Sequence, residues 1–197
     1  MFVRSLRKFA IAAAAQAAGA DVVLVTGPVD LRDPAGVTVI RVESARDMLH
    51  KVEAALPADV AIFAAAVADW RVAHEGAQKL KKTPAGMPPL QLVENPDILR
   101  TIAASRTLRP ALVIGFAAET EDVVEHAKKK RKSKGADWIV ANDVSPETNV
   151  MGGESNTVHL VTGKGVETWP EMPKCEVAAA LVARAAAQLS RNEAAAE

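Results

Sequence analysis

Residues 112–140, LVIGFAAETEDVVEHAKKKRKSKGADWIV, hold the stretch whose reading decides the fold. Leu112-Val113-Ile114-Gly115 is a short unbroken apolar run, the pattern of a strand buried on both faces. Thr120 then reads as the N-cap of a helix from Glu121 to about Lys134, stopped by Gly135 at the C′ position. Trp138-Ile139-Val140 is a second apolar run. Strand, helix, strand in one short stretch is the crossover unit of a parallel sheet.

The same alternation extends outward. Upstream lie apolar runs at Val22-Val23-Leu24-Val25, Val37-Thr38-Val39-Ile40 and Val60-Ala61-Ile62-Phe63. Helical stretches fall between or before them: Leu6 to Ala18, ending at Gly19, and a Ser44-capped helix through about Ala55. Asn95-Pro96-Asp97-Ile98 starts another helix, with Asn95 as N-cap and Pro96 at the first helical position, running to about Ser105. Arg71 to Val93 shows no clean period and reads as a long loop with one short strand at Leu90 to Val93. Downstream, Thr157 to Thr162 and Val166 to Trp169 flank Gly163-Lys164-Gly165 as a hairpin, and a last helix covers Lys174 to about Leu189. The expectation is an α/β, Rossmann-like, mostly parallel sheet with helices on both faces and an appended β-hairpin. Residues 1–190 form one domain in this reading, and Arg191 to Glu197 form a frayed tail. A doubly wound unit normally opens on a strand whose turn delivers the chain to its first helix. Nothing before Leu6 is strand-like, so the first strand is expected to be missing.

Composition narrows the function. The 197 residues carry 24 Lys plus Arg against 24 Asp plus Glu, which argues against nucleic-acid or membrane binding through a whole-protein field. A single cysteine, Cys175, excludes an internal disulfide framework, and four scattered histidines lack metal-ligand spacing. No apolar run reaches the roughly 18 residues of a spanning helix, and the basic start at Met1 to Lys8 has no cleavage-site pattern after it, so the reading is cytoplasmic. Neither GxGxxG after the first strand nor GxxxxGK[ST] occurs, which disfavours a nicotinamide oxidoreductase and a P-loop enzyme.

Ligands in open α/β sheets bind outside the carboxyl ends of the strands. Those ends deliver Ala64-Ala65-Ala66-Val67-Ala68-Asp69, Gly115-Phe116-Ala117-Ala118-Glu119 and Ala141-Asn142-Asp143. Lys79-Leu80-Lys81-Lys82 follows Asp69 on the loop, and one carboxylate beside several lysines suits a polyphosphate with a divalent cation. The bland account of such a cluster is a solvated loop. Lys130 and Lys134 share a helix face and can reach one anion, although cations near a helix C-terminus are also favoured by the macrodipole. For Phe116, core packing competes with base stacking. Cys175 and the histidines are read as structural.

These segments, in this order, closely resemble phosphopantothenate–cysteine ligase, the synthetase half of the bifunctional coenzyme A biosynthesis protein: Ala64 to Trp70, Lys79 to Lys82, Asn95 to Ile98, Gly115 to Thr120, and Ala141-Asn142-Asp143-Val144. The likeness runs from about Phe9 to about Leu189. It implies coupling of 4′-phosphopantothenate to L-cysteine with CTP and Mg²⁺ through an acyl-cytidylate. It also implies a nucleotide site of Phe63, Ala64, Ala65, Asp69, Lys79, Pro96, Asp97, Ile98, Leu99, Phe116, Lys130 and Lys134. Lys79 becomes the candidate catalytic residue, stabilising charge on the α-phosphate, and Asp69 the candidate for metal or ribose. The resemblance further implies a homodimer formed through the hairpin after Asn156, and a flavin-dependent decarboxylase half that this chain does not contain. Family members carry a strand and an Asn-Arg-Ser-Ser-Gly-like segment ahead of the stretch matching Phe9-Ala10-Ile11-Ala12, and Met1 to Lys8 matches none of it. Two readings follow: a CTP-dependent ligase, or a truncated, non-catalytic nucleotide-binding or dimerising remnant of one. Little ligase activity is expected from this chain alone.

Overall fold

Val113, Ile139 and Val140 are completely shielded from solvent, and the architecture is built around the two strands that carry them. The computed structural model describes residues 3–73, 89–145 and 155–195. In chain order the elements are α1 (Val3–Ala17), β1 (Val23–Thr26), β2 (Thr38–Arg41), α2 (Ala45–Ala54), β3 (Val60–Phe63), β4 (Trp70–Val72) and β5 (Leu92–Glu94). They continue with α3 (Ile98–Ala104), β6 (Leu112–Glu119), α4 (Val123–Lys134), β7 (Trp138–Asp143), β8 (Ser155–Asn156), β9 (Val158–Val161), β10 (Val166–Thr168), β11 (Met172–Pro173) and α5 (Lys174–Ala194).

The main sheet has the order β10-β9-β7-β6-β3, with β3, β6 and β7 parallel and the β9–β10 hairpin running antiparallel along β7. Alternate residues of β6 face opposite layers. Leu112 and Ile114 join Ile11, Leu181 and Ala185 under α1 and α5, whereas Val113 and Ala117 join Leu99, Ala103 and Ala127 under α3 and α4. This is the expected two-faced α/β architecture. β1 and β2 pair in parallel but form a separate ribbon, with no ladder to β3 among the described residues. Helices tie the ribbon to the rest from both sides: α1 packs on α5 and touches β1, and α2 touches both β1 and α3.

Several boundaries differ from expectation for identifiable reasons. β6 does not stop at Gly115 but stays in register with β7 as far as Glu119, opposite Asp143. That extension displaces the start of α4, whose N-cap is Asp122, in the left-handed region at φ 43, rather than Thr120. α3 is capped by Asp97, whose carboxylate accepts the Arg100 N–H, and not by Asn95, whose side-chain amide is turned to the Ala68 carbonyl. The segment after Asp69 holds a strand the periodicity did not reveal, β4, which pairs antiparallel with β5. α5 continues to Ala194 through most of the supposed frayed tail, with Gln188 donating to Asn192 one turn on. No described helix is long and apolar enough to cross a membrane.

Candidate functional site

The expected site gathers at the carboxyl ends of β3 and β6 because parallel pairing brings Phe63 opposite Gly115. Gly115 is required by close packing there. A Cβ on it would come within 2.7 Å of Leu99 Cδ2 and 2.8 Å of Ile139 Cδ1, so α3 sits tightly on the strand. Ala64 and Ala65 follow Phe63 directly with minimal side chains, Ala64 half-buried and Ala65 exposed.

A clasp joins this tip to the start of α3. The Asn95 side-chain amide donates to the Ala68 carbonyl at 2.8 Å, and its backbone N–H donates to the Asp69 carbonyl at 2.7 Å. The Arg71 guanidinium donates to the Glu94 carbonyl across the β4–β5 ribbon. Two residues past Asn95, the Asp97 carboxylate accepts from the Arg100 N–H at 3.1 Å and from the Lys134 ammonium, while the Thr101 hydroxyl donates to the Asp97 carbonyl at 2.8 Å. Burial works against the Asp97 carboxylate, but the hydrogen bonds from Lys134 and Arg100 and their positive charges outweigh it, and its pKa lies below the ordinary value. Asp69, Asn95, Pro96, Asp97 and Lys134 are thus brought to one edge. Lys130 lies one turn back along α4, about 6 Å by helical rise.

Other members are placed differently. Ile98 and Leu99 are buried at 6% and 9% exposure, so their side chains pack the core and do not line the edge. Phe116 lies inside β6, opposite Val140, on the face covered by α1 and α5, whereas Phe63 packs on the α3–α4 face with Leu99. The two rings stand on opposite sides of the sheet. Lys79, with Lys81 and Lys82, falls outside the described residues. A cleft of about 490 Å³ opens at the other end of the sheet, against Leu112, Trp138, Arg131 and Arg184, and no predicted site residue lines it.

Two polar residues absent from the expected site are fully buried at strand ends. Thr26 closes β1, its hydroxyl donating to the Gly27 carbonyl at 3.1 Å, and Asn142 sits near the end of β7 opposite Ala118. The signal for both was a polar residue terminating an apolar run at the carboxyl end of a strand. The next residue, Asp143, accepts the Ser145 N–H at 2.7 Å; hydrogen bonds from the Ser145 backbone and side chain hold its pKa down.

Residues 7–189 match the family model for the DNA/pantothenate metabolism flavoprotein C-terminal domain. The chain belongs to this family. It is 42% identical over 165 residues to the coenzyme A biosynthesis bifunctional protein CoaBC of Escherichia coli strain K12, an alignment spanning 82% of this chain and 40% of that protein. This chain therefore spans less than half the length of that curated relative. The solved C-terminal domain of a CoaBC is 36% identical with a TM-score of 0.75, covering 93% of this chain and 82% of that one. A Cab2 variant solved in complex with phosphopantothenate-cysteine superposes with a TM-score of 0.60 at 14% identity, over 82% of this chain and 55% of that one, a likeness of fold. Family membership gives the clasp a context: Asn95-Pro96-Asp97 is one of the segments on which the resemblance rested.

Proposed function

We propose that this chain carries the ligase part of coenzyme A biosynthesis, joining the carboxyl of 4′-phosphopantothenate to the amine of L-cysteine at the expense of CTP. The observation supporting it is the edge on which Asp69, the clasp at Asn95 to Asp97, and Lys134 converge, in a chain of this family. The phosphopantothenate carboxylate attacks the α-phosphorus of CTP and displaces pyrophosphate, giving an acyl-cytidylate. The cysteine amine then attacks the acyl carbon, CMP leaves with the bonding electron pair, and the amine loses a proton.

In this reading Lys79 neutralises charge on the α-phosphate during the first step, and Lys130 and Lys134 hold the outer phosphates. Pro96 to Leu99 line the nucleotide with their backbone, and Phe116 is the ring available on the far face. A divalent cation fits the donors present: Asp69 is an exposed single carboxylate, and Mg²⁺ takes one or two carboxylates with phosphate oxygens completing its shell. No cluster of three acidic, His or Cys side chains encloses a metal among the described residues. Bound there, Mg²⁺ would offset phosphate charge. The β9–β10 hairpin is the dimer-forming part in this reading.

The separation of the β1–β2 ribbon from the main sheet favours a second reading, a nucleotide-binding remnant without turnover. Calorimetry with CTP, together with pyrophosphate release in the presence of both substrates, separates the two. Binding with release that requires phosphopantothenate supports the ligase, binding without release supports the remnant, and absence of CTP binding overturns both. Lys79→Gln is expected to weaken CTP affinity about tenfold or more, the size of one hydrogen bond to a charged group.

A further inference from the structure

The cleft at the amino ends of β6 and β7 lies at the opposite end of the sheet from the clasp and shares no residue with it. Its floor is apolar and closed, with Leu112 and Leu160 at 2% and 3% exposure. Its rim is charged and comes from several elements. Arg131 stands on α4, Lys164 in the β9–β10 turn, and Arg184 and Arg191 on α5. Asp137 and Glu167 are the only carboxylates among the described residues that line it.

Both carboxylates are already engaged. Asp137 accepts from Arg109 Nη2 with both oxygens, at 2.9 and 3.0 Å, and from the Val113 N–H at 2.7 Å. Glu167 is paired with the Arg184 guanidinium. Among the described residues Arg131 and Lys164 have no ion-pair partner, and Arg191 donates only to the neutral Gln188 amide, at 3.1 Å. Three unneutralised cations thus share one concavity in a chain of zero net charge. The turn that carries Lys164 is held by its own hydrogen bonds: the Lys164 N–H donates to Thr162 Oγ1 at 3.1 Å, and the Thr162 N–H donates to the Gly165 carbonyl at 2.8 Å. A Cβ on Gly163 would lie 3.7 Å from Arg131 Nη1, so the Arg131 guanidinium rests against that same turn. The helix macrodipole accounts for Arg131 and Arg191, each in the last turn of its helix. It does not account for Lys164 at a hairpin tip, or for the convergence of all three.

We propose that this cleft binds a phosphate-bearing small molecule, its phosphate or diphosphate group held between Arg131, Lys164 and Arg191. Like charges brought together by three elements repel one another, and a multiply charged anion removes that repulsion. Guanidinium forks match the oxygens of a phosphate, and an ammonium adds a compact point charge. The cleft's volume of about 490 Å³ is that of a small-molecule site. Zero net charge denies a nucleic acid the long-range attraction on which its binding depends. The cleft is independent of the proposed ligase reaction, because no residue of the expected nucleotide site lines it.

The experiment titrates inorganic pyrophosphate, without metal and at physiological ionic strength, into the whole chain and follows backbone amides by NMR. The expected result is shifts that saturate at Gly163, Lys164 and Gly165, with one dissociation constant. Lys164→Gln should weaken that affinity about tenfold, and Lys164→Gln combined with Arg131→Gln about a hundredfold, the size of one and two hydrogen bonds between charged groups. Lys132→Gln, on the exposed side of α4 outside the cleft, should change it by less than about twofold. Lys164→Glu, on an exposed turn, tests the same point in a single variant if the double variant does not fold, and should abolish saturation. Shifts that stay linear, shifts confined to Ile98 to Arg100 at the clasp, an affinity untouched by Lys164→Glu, or an equal loss in Lys132→Gln overturns the proposal. Tighter binding of a tetraglutamate peptide at the same turn amides would assign the cleft to an acidic protein partner and overturn it as well.

Discussion

Leu112-Val113-Ile114 in β6 and Val60-Ala61-Ile62 in β3 are paired with each other, residue for residue, and are almost equally apolar. One is sealed from solvent and the other is half open. β6 has a hydrogen-bonded strand on each side and helices over both faces, whereas β3, among the described residues, has a strand on one side only. Enclosure is therefore a property of position in the sheet, with composition stating only what position a strand is fit for.

The largest effect should come from testing that contrast directly. Ile114→Ala empties a fully buried place in the α1–α5 layer and is expected to cost about 3–4 kcal/mol. Ile62→Ala, made in the neighbouring strand toward the same layer, removes the same atoms from a half-open place and should cost about half as much. Urea unfolding of both variants measures the pair. Equal losses would break the comparison, because they would mean that β3 is as enclosed as β6.

A smaller effect sharpens the closed side. Gly115→Ala puts a methyl group within 3 Å of the ends of Leu99 and Ile139. Both side chains can shift, but they do so inside a filled layer, so the expected loss is about 1–3 kcal/mol. Because Leu99 is in the first turn of α3, beside the Asp97 cap, the same variant should also weaken CTP binding in calorimetry. A variant of unchanged stability would show that the layer is looser than these distances imply.

Much of the main sheet was legible in the sequence, and the reasons are local. β3, the β9–β10 hairpin, and the end of α4 at Gly135 follow from apolar runs, turn residues and a glycine in the left-handed region at φ 71. What was not legible depended on partners distant in the chain. The four residues by which β6 outruns Gly115 are held by pairing with β7, and the α3 cap is Asp97 while the Asn95 side chain is held by the distant Ala68 carbonyl. β4 has three residues and an exposed Trp70, too short to show a period, and exists by pairing with β5. At the site, the likeness of segments named Asp69, Asp97 and Lys134, which the structure brings to one edge, but not Asn95, whose hydrogen bonds join that edge. It gave no warning that Phe63 and Phe116 face opposite layers, which alternation along paired strands decides.

The smallest effect concerns the ion pair at the rim, where even the closed half is open to water. Asp97 and Lys134 are each about one-third exposed, so their pairing should contribute only about 0–1 kcal/mol. Its pH signature is sharper than its size. The Asp97 pKa is depressed in the folded chain, so the stabilisation is fully present above the unfolded value of about 3.9 and is lost as pH falls through the lower folded value. Asp97→Asn keeps an equally good N-cap and removes only the titrating charge. Stability measured by urea unfolding from pH 6 down to pH 3 should therefore fall less steeply in the variant, with the two curves converging at the acid end. Curves that stay parallel below pH 4 would assign the acid sensitivity to other carboxylates and leave Asp97 a cap whose charge contributes nothing to folding.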